Sequence, residues 1–286
     1  MRIAGPGGRP TAEWRGRARA GSLDPSAVPA ALLAALALAT APPALPFAPE
    51  ERMDFTVTYL GLKVGTARIA VGRPVDSLLP VFLQARTGGF ASLADVREAL
   101  VSNLDMATLL PRLATLDAVE PGYRHSDRTY FDREAGKATF TSRGKSESTE
   151  VVDIRPGTID FVALIFRLRT LPLPDGARHE FPVLAGSKLN QVVIQVEGRE
   201  RVETGAGTFP AVRVRIPTGF TGKFSERNPT YVWFSDDARR IVVRIGTDFV
   251  IGRAVATLVT YAPGQRPPPP AVAAPAAPPP AGTVGR

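Results

Sequence analysis

Strict alternation of apolar and polar side chains is the feature that most constrains this sequence. In AVRVRI, residues 211–216, apolar side chains at the even positions alternate with Arg213 and Arg215. Because successive side chains of a β-strand point to opposite faces, this pattern predicts a strand with one dry and one solvated face. Similar runs occur at FTVTYL (55–60), TARIAV (66–71), PVFLQAR (80–86), KATFTS (137–142), QVVIQVEG (191–198) and VATLVTY (255–261).

Short breakers such as DREAGK, TGAGTF and SDDARR separate these runs. Links of this length join antiparallel neighbours, since a parallel crossover needs about a dozen residues or more. We therefore predict a mainly β fold. Its single antiparallel sheet is strongly curled or closed into a barrel, which protects the sheet edges, and it carries one or two short helices.

The clearest helix signal is IDFVALIFRLR, which Thr158 is positioned to cap and Pro172 to stop. Four apolar residues recur at the spacing of one helical face: Phe161, Leu164, Ile165 and Leu168. A second segment, GFASLADVREAL (Gly89 to Leu100), is compatible with a helix or with direct entry into a strand.

Composition divides the chain into five segments. These are a basic leader (1–26), a signal-peptide-like apolar segment (27–41), a Pro-rich linker (42–49), a β-rich body (50–263) and a disordered Pro/Ala-rich tail (264–286). The apolar segment is shorter than the ~20 residues of a membrane span and follows basic residues, as a secretory signal does. We predict export with no stable transmembrane domain after signal removal. The alternative is an uncleaved inner-membrane anchor.

The charge and the reactive residues exclude several classes of function. The net charge of +8 lies largely outside the body, where 28 basic and 25 acidic residues are interspersed, so we expect no nucleic-acid partner. The chain has no cysteine and only two histidines, His125 and His179. Disulfides, thiolate catalysis and cysteine-rich zinc sites are therefore ruled out, and we predict no metal site and no cofactor.

Asp236-Asp237, in YVWFSDDARRIVVRI, is the most site-like pair in the sequence. Serine and aspartate favour tight turns because their side chains accept hydrogen bonds from nearby backbone N–H groups. A catalytic or metal-binding pair would need converging carboxylates and a further ligand. We therefore interpret the pair as a hairpin turn. HSD (His125 to Asp127) similarly predicts surface hydrogen bonding, and no residue is assigned as catalytic.

Four segments in order resemble an exported bacterial family, the domain of unknown function 3108. They are YLGLKVGTARI, PGTIDFVALIFRLRTLPL, VEGRERVETGAGTFPAVRV, and VWFSDDARRIVVRI ahead of IGRAVATLVTY. The resemblance spans about Met53 to Tyr261. It implies a β-rich protein of the Gram-negative cell envelope, secreted to the periplasm, and it implies no established activity, cofactor or catalytic residues.

Two hypotheses of function follow. The first is a non-catalytic periplasmic module that binds a lipid or other amphiphile, with the helix residues Phe161, Leu164, Ile165 and Leu168 at the ligand mouth. A barrel filled by its own side chains is the structural alternative. The second hypothesis is an envelope carbohydrate-processing hydrolase, which would require Asp127, Asp132 or Asp236 to meet in a cleft. A structural or interaction scaffold is a further alternative.

Overall fold

The computed structural model describes residues 45–88, 96–217, 229–248 and 252–265. The predicted leader, the apolar segment and nearly all of the Pro/Ala-rich tail lie outside these residues. Fourteen strands and one helix are described. They are β1 (Arg52–Tyr59), β2 (Leu62–Val71), β3 (Leu78–Thr87), β4 (Arg97–Asp105), β5 (Pro111–Glu120), β6 (Tyr123–Asp132), β7 (Lys137–Arg143), β8 (Glu147–Asp153), α1 (Phe161–Arg169), β9 (Arg178–Ala185), β10 (Lys188–Thr204), β11 (Gly207–Ile216), β12 (Thr230–Ser235), β13 (Val242–Asp248) and β14 (Arg253–Ala262).

All fourteen strands form one antiparallel sheet, as the alternation predicts. The order is β8-β7-β6-β5-β4-β3-β2-β1-β14-β13-β12-β11-β10-β9, so the first and last of the described strands pair with each other in the middle. The described helix, α1, follows β8 and precedes β9, the two ends of this order. Every sheet neighbour apart from β1 and β14 is therefore also a sequence neighbour, and the sheet is two meanders joined by that pair.

The main core lies on one face of the sheet, which we call the core face. In β11, β12 and β13 the inward side chains Val212, Val214, Val232, Phe234 and Val243 are completely buried. Burying one such side chain contributes about 1.5–3 kcal/mol to the stability of the fold. This part of the sheet therefore supplies the driest portion of the core.

Helix α1 packs on the core face against β3, β4 and β9. The residue that caps it is Asp160 rather than the predicted Thr158: the Asp160 carboxylate accepts the Ala163 N–H at 2.9 Å. Thr158 instead closes its own turn, because its hydroxyl donates to the Arg155 carbonyl at 2.7 Å. Both residues are standard caps, and contacts beyond the helix decide between them, since Ser102 of β4 donates to Asp160 at 2.5 Å.

For the segment Gly89 to Leu100, the alternative of direct entry into a strand is confirmed at its C-terminal end. Residues 89–95 lie outside the described ranges, whereas Arg97 to Leu100 belong to β4 and pair with β3 and β5. Helical periodicity in this short stretch yields to cross-strand pairing on both sides. Within the described residues, no helix has the length and apolar character needed to span a bilayer.

The two ends of the sheet share a small hydrophobic cluster. Leu184 of β9 is buried together with Phe131 of β6 and Ala138 of β7. Ile159, which follows β8, also forms a parallel bridge with Val183 of β9. The β9 end of the sheet order is thus in contact with the segment that leaves β8.

A buried ion pair joins α1 to the chain that leads into β1. The Arg169 guanidinium donates from Nη1 to Glu51 Oε2 at 2.7 Å and from Nη2 to Glu51 Oε1 at 2.9 Å. Both side chains are almost completely buried, with exposures of 0% and 1%. Nη2 also donates to the Arg239 carbonyl, and Tyr261 donates its hydroxyl to Glu51 Oε1 at 3.1 Å. This bidentate ion pair and its hydrogen bonds therefore connect α1, the entry to β1, the β12–β13 turn and β14.

We expect Glu51→Gln to lower the free energy of unfolding by about 3–5 kcal/mol, because it leaves the Arg169 charge buried without a counter-charge. Glu50→Gln is the matched control. Glu50 pairs with Arg73 at 2.7 Å on the exposed surface, where a pair contributes about 0–1 kcal/mol. Urea unfolding of both variants measures the difference. Equal losses would contradict the assignment of Glu51 to a buried, structurally essential pair.

Tyr261 gives the fold a predictable alkaline limit. Burial, with the neighbouring Glu51 carboxylate adding to it, raises the pKa of Tyr261 to about 12 from an ordinary 10.0. Between these values the unfolded chain holds fewer protons than the native state, so stability falls as the pH rises. Tyr261→Phe should lose less stability than the wild type across this interval, whereas Tyr130→Phe, at an exposed tyrosine, should behave like the wild type. Unfolding midpoints measured below and within the interval provide the test.

Candidate functional site

Asp236 and Asp237 lie in the turn between β12 and β13. Asp237 accepts the Ser235 hydroxyl at 2.8 Å and the Arg239 backbone N–H at 2.9 Å. Asp236 accepts instead from Arg240 at 3.1 Å and from Arg199 of β10 at 2.8 Å. The two carboxylates therefore bind different partners and do not converge on a shared point.

The electrostatics of Asp237 fit this structural role. Burial acts to raise its pKa, but the hydrogen bonds from Arg239 and Ser235 outweigh it, and the pKa lies below the ordinary value. A general acid needs the opposite shift, toward the working pH. Asp237 is held ionised as the acceptor that closes the turn.

The other carboxylates that a hydrolase would need are dispersed. Asp127 is on the core face of β6 and accepts the Ser142 hydroxyl at 2.6 Å. Asp132 ends β6 and accepts the Ala135 N–H of the following turn at 2.9 Å. The two point to opposite faces and are separated by about 16 Å along the strand. Asp236 lies in the β12–β13 turn, so the structure brings no two of the three together in a cleft.

The strand register reveals a different candidate site on the core face of β3 to β8. Residues that face each other across antiparallel strands share a face, so successive pairings define rows that cross the sheet. One row contains Leu83, Leu100, Leu116, Asp127, Ser142 and Ser148. It is apolar from β3 to β5 and polar from β6 to β8. We call this row and the adjacent one the amphipathic wall.

The adjacent row contains Ala85, Glu98, Ala118 and His125. Burial raises the pKa of Glu98, the Glu120 carboxylate raises it further, and His125 acts in the opposite direction. The small, buried Ala118 side chain lies between Glu98 and His125 in this row. His125 stacks on Tyr123 with ring centroids 5.3 Å apart, and its Nδ1 is buried without a hydrogen-bond partner among the described residues.

Charge is segregated between the two faces of these strands. The described residues of β3 to β8 that share the core face include four carboxylates and no lysine or arginine. The carboxylates are Glu98, Glu120, Asp127 and Glu150. The strand arginines face outward, because they occupy the positions that alternate with the core-face residues. Examples are Arg86, Arg97, Arg124 and Arg128. A ligand on the wall would therefore meet an apolar zone next to a negatively charged one.

The helix residues predicted at a ligand mouth differ in exposure. Leu164, Ile165 and Leu168 are completely buried in the main core, with exposures of 0%, 1% and 0%. Phe161, the first residue of α1, is half-buried and packs against the same core as Leu83 and Leu100. Only Phe161 of the four retains solvent-accessible surface beside the wall.

Sequence reasoning did not identify the amphipathic wall. Its strands do alternate, but the alternation cannot show which strand lies beside which. Glu98 and His125 are 27 positions apart in the sequence and come together only through β5. Among the described residues, no three histidine, aspartate or glutamate side chains are grouped so that they could hold a metal ion.

Comparison with solved structures places the fold beside a β-barrel-like protein. That protein, of the domain of unknown function DUF1849 from Brucella abortus, has a TM-score of 0.52 at 9% identity, over 77% of this chain and 99% of its own. A candidate exported protein with a YmcC-like fold from Bacteroides fragilis has a TM-score of 0.31 at 11% identity, over 76% and 98%. A candidate lipoprotein from Parabacteroides distasonis has a TM-score of 0.28 at 11% identity, over the same shares.

No curated protein matches the sequence. The model of one family, described as a protein of unknown function (DUF3108), matches residues 54–259, which run from β1 into β14. This match covers both meanders, α1 and the amphipathic wall. The chain therefore belongs to the DUF3108 family.

Proposed function

We propose that this protein is a non-catalytic, exported module that binds an amphiphile on the amphipathic wall. The observation that carries the proposal is the change along one row, from Leu83, Leu100 and Leu116 to Asp127 and Ser142. An alkyl chain lying along β3 to β5 would contact the leucines and Phe161. Its polar group would then reach the carboxylates.

The proposal includes a sheet that curls around α1 so that the core face becomes the interior of a barrel-like body. Two observations support the curl: Leu184 of β9 shares a buried cluster with Phe131 and Ala138, and Ile159 bridges to β9. The likeness in fold to a β-barrel-like protein agrees with it. Deep in such a body the side chains of α1 fill the interior. The space for a ligand is therefore at the half-buried end of the wall, beyond Phe161.

The polar group of the ligand is cationic or neutral. Glu98, Glu120 and Asp127 would attract an ammonium group and repel a carboxylate or a phosphate, and no core-face lysine or arginine of the described wall strands compensates. The Tyr123 ring already accepts one cation, since Lys145 Nζ lies 5.8 Å from its centroid. An aromatic face beside carboxylates is a favourable setting for a quaternary ammonium group.

The hydrolase alternative has little support. Its paired carboxylates would have to flank a groove, about 5–9.5 Å apart. Asp127, Asp132 and Asp236 are instead engaged in three separate local hydrogen-bond networks. The raised pKa of Glu98 is explained by burial and by the Glu120 carboxylate, and the wall pairs it with a histidine rather than with a nucleophile.

Binding is tested by displacement of the neutral fluorescent amphiphile N-phenyl-naphthylamine from the purified protein. Three competitors with the same alkyl chain, dodecyltrimethylammonium, dodecyl maltoside and dodecanoate, should displace it in that order of affinity. Leu116→Gln should weaken binding about tenfold, because it removes an apolar contact from the wall. Leu113→Gln is the control, since this leucine is on the same strand with similar burial but faces outward.

The outcomes separate the parts of this proposal. If no competitor displaces the probe, or if Leu113→Gln weakens binding as much as Leu116→Gln, amphiphile binding on the wall is wrong. If dodecanoate competes best, the wall binds an amphiphile but the cationic selectivity is wrong. Unfolding curves of both variants show whether a loss of binding follows from a loss of folding.

Export to the periplasm is tested on the full-length chain expressed in a Gram-negative host. We expect the protein in the periplasmic fraction, with an intact mass that corresponds to loss of residues 1–41. The small residues Ala39 and Ala41 form the recognition pattern at that position. A membrane-bound product of full mass would instead support the uncleaved anchor.

A further inference from the structure

The tip of the β1–β2 hairpin carries a leucine at a position that turn geometry disfavours. Leu60 and Gly61 form a two-residue turn in which both residues have positive φ, 49° and 81°. Asn-Gly or Asp-Gly is preferred in such turns, because a leucine is strained in the left-handed region. Leu60 is also 60% exposed, and Leu62 on the other side of the turn is 58% exposed. The backbone therefore disfavours leucine at position 60, and the Leu60 side chain lies over Gly252 at the surface rather than in the core.

A cationic pocket lies beside this turn. It has a volume of about 560 Å³, and its lining consists of Lys63, Gly65, Thr66, Arg86, Thr87, Gly88 and Arg97. Three of these described lining residues are cations, two carry hydroxyl groups, and none is a carboxylate. Arg86 donates from Nε to the Thr66 hydroxyl at 3.2 Å, which holds its guanidinium at the pocket.

The pocket brings together positive charges from neighbouring strands. Arg86 of β3 lies directly opposite Arg97 of β4. Lys63 of β2 adds a third positive charge to the same pocket. At Gly65 a β-carbon would be only 2.2 Å from the Arg86 carbonyl oxygen, so the backbones of β2 and β3 approach closely. A leucine at a left-handed turn position beside clustered cations is a local departure from sequence rules, and such departures are characteristic of functional surfaces.

We propose that this end of the sheet docks on the surface of an anionic lipid bilayer. Leu60 and Leu62 enter the interface between head groups and acyl chains, and Lys63, Arg86 and Arg97 contact the lipid phosphates. Exposed apolar side chains next to cations are the combination that binds anionic membrane surfaces. A second copy of this chain is a poor alternative occupant, because a two-fold contact through the pocket would place the cations of the two copies against each other.

This surface is distinct from the amphipathic wall. Arg86 and Arg97 face outward from strands whose core-face residues, Leu83 and Glu98, belong to the wall. The docking proposal therefore does not depend on amphiphile binding, and failure of one leaves the other intact. If both hold, docking brings the wall close to a membrane from which an amphiphile could be taken.

The test is flotation of the full-length protein with vesicles of phosphatidylcholine, alone or mixed with phosphatidylglycerol. We expect stronger binding to the mixed vesicles and a loss of this preference at high salt. Lys63→Gln with Arg86→Gln should weaken binding to the mixed vesicles by more than about tenfold, since each cation near an anionic surface contributes roughly fivefold. Arg112→Gln with Lys137→Gln removes the same charge from exposed positions at the opposite end of the sheet and should have little effect. All variants carry the same N-terminal apolar segment, so differences between them report on the pocket.

Leu60→Asn separates docking from folding. Asparagine tolerates the left-handed conformation, so this variant should raise the melting temperature while it weakens vesicle binding. Val151→Ser removes a similarly exposed side chain from β8 and should leave vesicle binding unchanged. The proposal is overturned if the Lys63/Arg86 variant binds mixed vesicles like the wild type. It is overturned equally if Leu60→Asn binds as well as the wild type, or if the Arg112/Lys137 control weakens binding to the same extent.

Discussion

The buried bidentate ion pair between Arg169 and Glu51 is the interaction on which the packing of α1 against the sheet depends. It joins residues 118 positions apart and fixes the C-terminal end of α1 against the entry to β1. Phe47 and Phe166 enclose the guanidinium, at 5.1 and 5.4 Å from their ring centroids, and Tyr261 completes the hydrogen bonding of Glu51. Because an unpaired charge at this depth costs several kcal/mol, α1, the entry to β1 and the β12–β13 turn are stabilised together.

This fixed helix decides how much of the core face remains for a ligand. From Val162 to Arg169 nearly every side chain of α1 is buried, as expected for a helix that is apolar almost all round. At the N-terminal end Phe161 is half-buried and packs against the same core as the half-buried Leu83 of β3 and Leu100 of β4. The amphipathic wall is therefore the part of the core face that the helix leaves partly uncovered. Because the row changes from leucines to polar and acidic residues, this part of the core face has an apolar end and a negatively charged end.

The two proposed surfaces use the opposite faces of the same strands. On β3 and β4, Leu83 and Glu98 face the core while Arg86 and Arg97 face the pocket. Because successive side chains of a strand point to opposite faces, the same two strands place an acidic residue on the core face and basic residues on the opposite face. The exposed Leu60 at the adjacent turn has a left-handed backbone conformation that is unfavourable for leucine.

The sequence by itself predicted seven of the fourteen described strands from their alternation, together with an antiparallel sheet, the Asp236-Asp237 turn and the family, because period two and turn chemistry act between residues close in the chain. Strands such as β5, β8 and β9 are not among the predicted runs. It placed α1 correctly but assigned the cap to Thr158, since only the contact between Asp160 and Ser102 of β4 distinguishes the two residues. Tertiary structure alone decided the Arg169–Glu51 pair, the rows of the wall and the pocket. Each of these depends on which strands become neighbours and in which register, and that is a property of the whole sheet rather than of any segment.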